Sequence, residues 1–321
     1  MDQRFDVIVI GVGGMGSAAC FHLARRGVRV LGLEQFNIPH DRGSSQGLSR
    51  MIRTAYYEHS DYVPLLRRAW ELWKQFEDEA HLEKKVLHKT GGLYLGRLHD
   101  ELIAGSLASS RQQQLPYELL SRDDLRKQFP QFHVPDDFVG FYEYHAGYLV
   151  PELAITAHVD LAMRQGATIR GNEPVLSWTT DAAGATVTTA RGTYHAEQVV
   201  FCGGAWTDKL IRDLGVPLVV TRQVMAWVAP PRPALFSPDR FPVWAITSDR
   251  GGIDYGFPMD DPRVGLKLAH HFPGPPTDPE RVNRAPQTDD KQTFRPALQK
   301  YLPDADGPLI SLLTCLYTNS P

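Results

Sequence analysis

Apolar and polar residues alternate in blocks along the chain, and the first blocks define a compact unit. Residues 5–10 form an apolar, β-branched run that is typical of a buried strand. A glycine-rich turn follows, and residues 17–26 have helical character, with two basic residues before the stop at Gly27. A second apolar run over residues 28–33 leads directly into Glu34. This pattern predicts a strand, a tight turn, a helix and a second strand.

The same periodicity predicts elements over the rest of the chain. Helical spacing and helix start and stop signals predict helices over residues 60–79, 100–114, 121–129, 151–164 and 289–300. Extended runs between glycine and proline predict strands over residues 90–96, 139–144, 167–170, 174–178, 186–189, 193–196, 198–202, 218–228, 242–247, 253–257, 264–268 and 308–317. One stripe of the first of these helices is expected to face the core, and it consists of Tyr62, Leu66, Ala69, Trp73 and Phe76.

The order of these elements predicts an α/β fold with two sheets. Residues 1–90 and 145–215 carry the strand and helix alternation of a discontinuous, Rossmann-like nucleotide-binding domain. Residues 91–144 and 216–310 are richer in strands and predict a substrate domain around a mostly antiparallel sheet. Residues 311–321 are predicted to form a return strand that contains Cys315.

The turn after the first strand has the spacing Gly-x-Gly-x-x-Gly, formed by Gly11, Gly13 and Gly16. These glycines permit a tight turn, a close approach of phosphate to the backbone, and close packing of the helix on the sheet. The helix N-terminus offers free N–H groups to a pyrophosphate, and Glu34 can accept hydrogen bonds from ribose hydroxyls. A turn that serves packing alone would leave this acid unexplained. The sequence therefore predicts a dinucleotide site, for either FAD or NAD.

Composition and charge argue against several classes of function. A net charge of −3 gives no signature of nucleic-acid binding, and no apolar run is long enough to span a membrane. Three scattered cysteines indicate a reducing compartment and argue against a disulfide framework or a cysteine-based metal site. The first strand begins within five residues of the N-terminus, which leaves no room for a signal peptide. We therefore expect a cytoplasmic protein with no metal, nucleic-acid or membrane partner.

Several residues have both a structural and a functional interpretation. Arg50 and Arg53 form either the cationic wall of a carboxylate or phosphate pocket or a solvated surface pair. Gly203 and Gly204, which follow the predicted strand 198–202, mark either contact with the dinucleotide or a simple strand-to-helix turn. Taken alone, three more residues have the ordinary interpretations of an exposed lysine, a structural histidine and a buried thiol: Lys267, His271 and Cys315.

Six short motifs occur in order along the chain: Gly11–Gly16 with Glu34, Gly43-Ser44 leading to Arg50-Met51-Ile52-Arg53, Cys202-Gly203-Gly204-Ala205-Trp206, Tyr255-Gly256-Phe257-Pro258, Gly265-Leu266-Lys267-Leu268 with His271, and Cys315-Leu316-Tyr317-Thr318-Asn319-Ser320-Pro321. With these six motifs taken together, the chain resembles the monomeric sarcosine oxidase and N-methyltryptophan oxidase family. This family lies within the glycine oxidase and D-amino-acid oxidase-like class of flavoproteins. The similarity runs from residue 5 to the end of the chain.

The resemblance implies that FAD is bound in the Rossmann-like domain. It also implies that the sulfur of Cys315 is attached to the 8α-methyl group of the flavin. The residues expected to contact the cofactor are Gly11, Gly13, Gly14, Gly16, Glu34, Ser44, Arg50, Gly203, Gly204, Trp206 and Cys315.

The resemblance also implies roles for five residues around the flavin ring. Lys267 matches a lysine over the ring face, whose charge helps oxygen to accept electrons. Arg53 matches the position that binds the substrate carboxylate, and Arg50 matches the position beside the flavin. Tyr255 and His271 match pocket residues around the substrate amine. A neutral imidazole there would help to keep the amine unprotonated, as hydride removal requires.

The implied reaction is the oxidation of a secondary amino acid such as sarcosine or N-methyltryptophan. The carbon bound to nitrogen gives up a hydride to the flavin, and the imine hydrolyses to formaldehyde and an amino acid. The reduced flavin then passes two electrons to O2, which yields hydrogen peroxide. A monomeric enzyme is expected.

The chain departs from the family pattern at two places. Ser45-Gln46 replaces the paired histidines that the family commonly has, which predicts altered tuning near the flavin. Relatives continue beyond the position of Pro321 through a strand, a glycine-rich turn and a helix, so the C-terminal part of the FAD domain, with a second cationic residue that binds the substrate carboxylate, is expected to be missing. One alternative is therefore a catalytically impaired, flavin-binding remnant. A second is an NAD-dependent dehydrogenase, against which the Lys267 and Cys315 motifs argue.

Overall fold

The computed structural model describes residues 3–213, 215–272 and 274–321. Its strands are, in chain order, β1 (Gln3–Ile10), β2 (Val30–Leu33), β3 (Arg50–Ile52), β4 (Leu87–Lys89), β5 (Gly92–Gly96), β6 (Tyr117–Leu120), β7 (Val139–Glu143), β8 (Gly147–Leu149), β9 (Thr168–Arg170), β10 (Val175–Asp181), β11 (Gly184–Thr189), β12 (Gly192–Phe201), β13 (Val219–Val228), β14 (Val243–Thr247), β15 (Ile253–Gly256), β16 (Leu266–His271) and β17 (Leu309–Asn319). Its α-helices are α1 (Gly14–Ala24), α2 (Val63–Ala80), α3 (Glu101–Gln112), α4 (Arg122–Gln128), α5 (Pro151–Arg164), α6 (Thr207–Leu210) and α7 (Arg295–Tyr301).

A six-stranded sheet has the order β10-β11-β12-β1-β2-β9, and β1 runs parallel to both of its neighbours. Alternate side chains of β1 enter two separate cores. Val7 and Val9 join the core with residues of α1, α2 and α5, whereas Ile8 and Ile10 join a core on the other face. Burial on both faces explains why the run is apolar without interruption. The predicted strand–turn–helix–strand unit is confirmed.

The prediction of two separate strands at 193–196 and 198–202 was wrong, because β12 is continuous. Its first half pairs with β11 in an antiparallel hairpin, and residues 194–201 pair with β1 in parallel. Glu197 and Gln198 suggest a break in the sequence, but both are exposed residues within the strand, beyond the part that β11 pairs with. One strand therefore connects the hairpin to the turn at Gly203 and Gly204.

The second sheet has eight strands in the order β17-β13-β16-β15-β14-β5-β7-β6. Its pairs are antiparallel except for β14 and β5, which confirms the predicted, mostly antiparallel second sheet. One face packs on a large apolar core that includes residues of α4 and α7. The C-terminal strand β17 pairs with β13 at the edge of this sheet. The exact division into two domains stays a prediction.

A third, three-stranded sheet with the order β3-β8-β4 was not predicted. Its strands have three residues each, which is too short for a pattern of alternation to be recognised. β3 pairs with β8 in antiparallel register, so that Arg50 lies opposite Leu149. This small sheet fixes the segment that contains Arg50 and leads to Arg53.

The predicted helix over residues 60–79 is confirmed as a single-turn 3-10 helix followed by α2. Phe76 is buried as expected, but Tyr62 is exposed, so its assignment to the core stripe was wrong. Tyr62 belongs to the 3-10 turn, where the spacing of side chains differs from that of an α-helix. Among the helices of the described residues, none combines the length and apolar character needed to cross a bilayer.

Candidate flavin and substrate site

The dinucleotide turn requires glycine at two positions for different reasons. Gly11 has a left-handed φ of +92°, and a Cβ atom there would lie 2.4 Å from the carbonyl oxygen of Cys202. A Cβ atom on Gly16 would lie 1.8 Å from the carbonyl oxygen of Gly11. Side chains are therefore excluded where β1, β12 and α1 meet, and the backbone at the start of α1 is left accessible.

Glu34 is 4% exposed and lies at the end of β2, beside this turn. Its Oε2 accepts a hydrogen bond of 2.8 Å from the amide of Val12, and its Oε1 accepts one of 3.1 Å from the amide of Phe36. His40 Nε2 lies 3.6 Å from the same Oε1, and burial lowers the pKa of this imidazole although Glu34 opposes the shift. The carboxylate is thus fixed at the rim of the nucleotide cleft.

A cleft of roughly 1010 Å³ extends from the turn towards the end of β12. Eight of the predicted cofactor residues line it: Gly11, Gly13, Gly14, Glu34, Ser44, Gly203, Gly204 and Trp206. Its wall also contains Ser45, whose Oγ accepts a hydrogen bond of 3.2 Å from the amide of Gly14. A cleft of this size, with free backbone at a helix start and an acid at its rim, fits a dinucleotide. Gly16 packs behind the cleft, and Arg50 and Cys315 lie outside it.

The loop after Glu34 is bound to the C-terminal strand. Ser44 Oγ donates a hydrogen bond of 2.6 Å to the carbonyl of Leu316, and Gln46 Nε2 donates one of 2.7 Å to the carbonyl of Thr314. Between these contacts lies Cys315, which is 2% exposed, with its Sγ 4.0 Å from the carbonyl oxygen of Ser44. Gln46, which belongs to the Ser45-Gln46 pair that departs from the family pattern, therefore helps to position the strand that contains Cys315.

Lys267 is 3% exposed, so its interpretation as an exposed lysine is excluded. Its Nζ donates hydrogen bonds of 2.7 Å to the carbonyls of Gly47 and Ser49. The ring centroids of Phe257 and Trp227 lie 4.7 Å and 5.5 Å from the same nitrogen. Burial, and next the nearby cation of Arg50, hold the pKa of Lys267 well below its usual value.

Arg50 on β3 continues the same network. Its Nη2 donates hydrogen bonds to the carbonyls of Ser44 and Gln46, at 2.5 Å and 3.1 Å. These carbonyls belong to the loop that also contacts the strand of Cys315 and, at Gly47, the ammonium of Lys267. Arg50 thus stabilises the conformation of this loop, and it adds a positive charge beside the buried lysine.

Arg53 is not a solvated surface residue, because its side chain is only 15% exposed. Its Nη2 donates hydrogen bonds of 2.7 Å and 3.1 Å to the two oxygens of Glu58, and the ring of Tyr56 stacks on the guanidinium at 3.9 Å. Its Nη1 is buried and has no partner within the described residues. Burial works against the charged form, but Glu58 and Tyr94 raise the pKa of Arg53 above its usual value. A charged donor is thus left for an anion.

Three residues form a chain of polar groups on one face of the eight-stranded sheet. Nδ1 of His271, an exposed residue at the end of β16, lies 3.0 Å from the hydroxyl of Tyr317. A hydrogen bond also links the hydroxyls of Tyr317 and Tyr255. Burial raises the pKa of both phenols. Desolvation of the imidazole, and next the positive charge of Arg53, lower the pKa of His271. These groups are thus kept neutral near pH 7.

Sequence reasoning missed four polar residues that support the site. Glu58 binds Arg53, and Tyr317 joins Tyr255 to His271. Glu143 is buried and accepts hydrogen bonds from the amides of Thr54 and Ala55, directly after Arg53. Glu152 accepts hydrogen bonds from the turn that holds Lys267. Tyr317 stood within a recognised motif, whereas a single acid in a helix or strand gives no signal in one sequence.

The glycine-rich cleft and the polar face of the second sheet together define an oxidoreductase that binds a dinucleotide. The family described as FAD dependent oxidoreductase matches residues 6–319. A monomeric sarcosine oxidase from Streptomyces avermitilis is 42% identical over all of this chain and 84% of its own length. An N-methyl-L-tryptophan oxidase from Salmonella heidelberg is 34% identical over 99% of this chain and 84% of its own length. The chain therefore belongs to the FAD-dependent oxidoreductase family, within the group of sarcosine and N-methyltryptophan oxidases.

Solved structures agree with this assignment. NikD, described as an unusual amino acid oxidase essential for nikkomycin biosynthesis, has a TM-score of 0.85 at 27% identity, over 98% of this chain and 82% of its own. A glycine oxidase from Geobacillus kaustophilus has a TM-score of 0.79 at 20% identity, over 99% of this chain and 84% of its own, which shows the fold alone. The predicted α/β fold, with a Rossmann-like FAD domain and a second sheet, is confirmed.

Proposed function

We propose that this enzyme oxidises a secondary, N-methyl amino acid such as sarcosine or N-methyltryptophan and uses O2 as the electron acceptor. The proposal is carried by Nη1 of Arg53, which is buried, has no partner in the part of the chain that the structure describes, and lies close to His271. The names of the sarcosine and N-methyl-L-tryptophan oxidases among its relatives support it. The products would be hydrogen peroxide and an imine, which water hydrolyses to formaldehyde and the free amino acid.

Arg53 would bind the substrate carboxylate. Its Nη2 is bound to Glu58, whereas its Nη1 has no partner among the described residues and presents charged N–H donors that suit a carboxylate. The stacked ring of Tyr56 and the contact with Glu58 fix the guanidinium plane before substrate arrives. The carboxylate would therefore orient the substrate amine towards the polar face of the second sheet.

His271 and the two tyrosines would surround the amine. The lowered pKa of His271 keeps its imidazole neutral near pH 7, so that it adds no positive charge and can accept a proton. Tyr317 fixes the ring through its contact with Nδ1. A neutral amine keeps the lone pair that drives hydride transfer, and these neutral neighbours would favour that form.

Lys267 would act in the second half of the reaction. When bound, FAD supplies hydride acceptance from the amine carbon and electron transfer to O2. The ammonium of Lys267 would stabilise the negative charge that develops on oxygen, in a site where water is excluded. Its two carbonyl partners and the aromatic rings fix the position of that charge.

Cys315 would bind FAD covalently as a thioether. Its thiol is buried with Met225, Trp227 and Ala269 on the sheet face that also carries Tyr255, which supports a position against the flavin ring. The few scattered cysteines support a cytoplasmic location, and the name of the monomeric sarcosine oxidase supports a monomer.

The first test is an absorption spectrum of the purified protein before and after acid precipitation. We expect a flavin spectrum that stays with the pellet, and a supernatant that becomes yellow in Cys315→Ser. Peroxide release from sarcosine, lost in Lys267→Met, would support the oxidase. Flavin in the supernatant of the native protein would refute the covalent bond. Bound flavin without peroxide from any N-methyl amino acid would favour a flavin-binding remnant instead.

A further inference from the structure

The turn at Gly47 and Leu48 has an unusual backbone. Both residues have left-handed φ angles, of +102° and +64°, and the second has a side chain that disfavours this region. Glu152, in the first turn of α5, accepts hydrogen bonds from both amides through Oε1, at 2.7 Å and 3.1 Å. One carboxylate oxygen thus satisfies two adjacent donors and stabilises a turn that the local sequence does not favour.

The same turn presents its carbonyls to Lys267. The peptide groups of Gly47 therefore contact an acid through the N–H and the ammonium through the C=O. The second carbonyl, of Ser49, follows directly after the left-handed Leu48. Any change in this turn moves both acceptors of the ammonium, so Glu152 and Lys267 are coupled through a single short segment.

Charge couples the two side chains as well. Three groups influence the ammonium of Lys267: Arg50 opposes its positive charge, whereas Cys315 and Glu152 favour it. Glu152 Oε2 is buried and has no hydrogen-bond partner within the described residues. A carboxylate oxygen with no direct partner, in a setting poor in water, exerts a stronger field on its neighbours than one in solvent.

We propose that Glu152 is a positioning residue for Lys267, which shapes the turn that binds the ammonium and supplies the negative charge that keeps it protonated. The effect on oxygen chemistry rests on the function proposed above, whereas the effect on the lysine itself does not. The two parts can therefore be tested separately.

The first experiment measures the lysine directly in the flavin-loaded protein. Lysines labelled with 13C at Cε are titrated by NMR, and the Lys267 signal is assigned by its loss in Lys267→Met. Glu152→Gln keeps the acceptor for both amides but removes the charge, so we expect a lower pKa of Lys267. Asp160→Asn removes a charge from an exposed position of the same helix and should leave the signal unchanged.

The second experiment follows the reaction of the reduced flavin with O2 across pH. The rate should fall as pH rises through the Lys267 pKa, and Glu152→Gln should move this fall to lower pH. At a pH on that limb we expect a rate roughly threefold to tenfold below native, since one pKa unit is a tenfold change in protonation ratio. Reduction of the flavin by substrate should change less. Glu152→Ala, which also loses the turn contacts, should be slower still.

Each outcome has one meaning. An unchanged Lys267 titration in folded Glu152→Gln overturns the proposal, whatever the alanine variant does. A lowered Lys267 pKa with an unchanged oxygen reaction upholds the coupling between the two residues, but it refutes the role proposed for Lys267 in catalysis.

Discussion

At the scale of single residues, the site depends on polar groups whose partners are only partly supplied by the protein. Arg53 has one nitrogen bound to Glu58 and another that is buried and has no partner among the described residues. Leaving a buried, charged donor unpaired costs free energy in the absence of a ligand. This cost would be recovered when an anion binds, which agrees with the carboxylate-binding role proposed above for Arg53.

Arg53→Lys should therefore weaken the binding of carboxylate substrates. A lysine loses the planar pair of donors and the stacking on Tyr56, so we expect KM for sarcosine to rise about 10- to 100-fold. The matched control is the neutral amide of the same substrate. Its KM should change much less. An equal change for acid and amide would mean that the variant disturbs the pocket and that Arg53 does not bind the carboxylate.

Gly11 and Gly166 share a φ of +92° but differ in their surroundings. A Cβ atom on Gly11 would meet the carbonyl of Cys202 at 2.4 Å, whereas nothing lies within 4 Å of one on Gly166. Gly166→Ala should thus cost only the left-handed strain of about 1–2 kcal/mol. Gly11→Ala should cost clearly more and should also reduce FAD content. Urea unfolding and flavin absorbance measure both effects, and equal losses in the two variants would contradict the close approach.

At the scale of elements, three helices meet around one buried histidine. His158 on α5 stacks on Phe76 of α2 at 4.0 Å and also contacts Phe21 of α1. Burial, and next the neighbouring His22, lower the pKa of His158 to about 4. The aromatic ring thus serves as an apolar contact between the helices as long as it stays neutral.

This contact predicts a loss of stability in acid. The imidazole titrates near 6.5 when unfolded and near 4 when folded, so the folded state binds fewer protons between these values. Stability contributed by neutral His158 is complete above pH 6.5 and is lost as pH falls towards 4, by about 3 kcal/mol. Urea unfolding at pH 7 and pH 4.5 measures the slope. His158→Phe should flatten it, and the exposed His99→Gln should not. A native slope in His158→Phe would assign the effect to other groups.

The strand β16 shows how one element brings the candidate catalytic residues together. Its side chains alternate, so Lys267, Ala269 and His271 point to the same face, and Tyr255 lies opposite Ala269 on β15. The sequence predicts a strand that ends at residue 268, which leaves His271 in a loop. The structure extends β16 to this histidine because Ile253 of β15 still pairs with it.

At the scale of the whole molecule, local sequence signals predict individual helices and strands well, but they predict poorly which strands pair with each other. Both ends of α5 follow from proline in its first turn and Gly166 after its end. The dual pairing of β12 does not follow, because one sequence does not show which strands lie on its two sides. The same limit hides the small sheet that contains Arg50, whose three strands lie far apart in the chain.

The candidate site likewise contains residues that the local sequence predicts and residues that it does not. The glycine turn and Glu34 are local, so their spacing predicts their chemistry and the cleft confirms that they lie together. Lys267 and Cys315 are candidates only through family resemblance, and their burial depends on strands that pair across the whole sheet. The acids that support the two cations, Glu58 and Glu152, are identified by contacts that no pattern in one sequence encodes.

The hydrogen bonds between the loop after Glu34 and the C-terminal strand also determine when the site can form during synthesis. Ser44 and Leu316 are 272 positions apart, and Gln46 and Thr314 are 268 apart. A ribosome that has completed β16 has synthesised the glycine turn and Lys267, but not the strand that orders this loop. Contacts of such long range form after local ones. A nascent chain can thus build its nucleotide turn early, yet the loop beside Cys315 becomes ordered only after β17 has been synthesised.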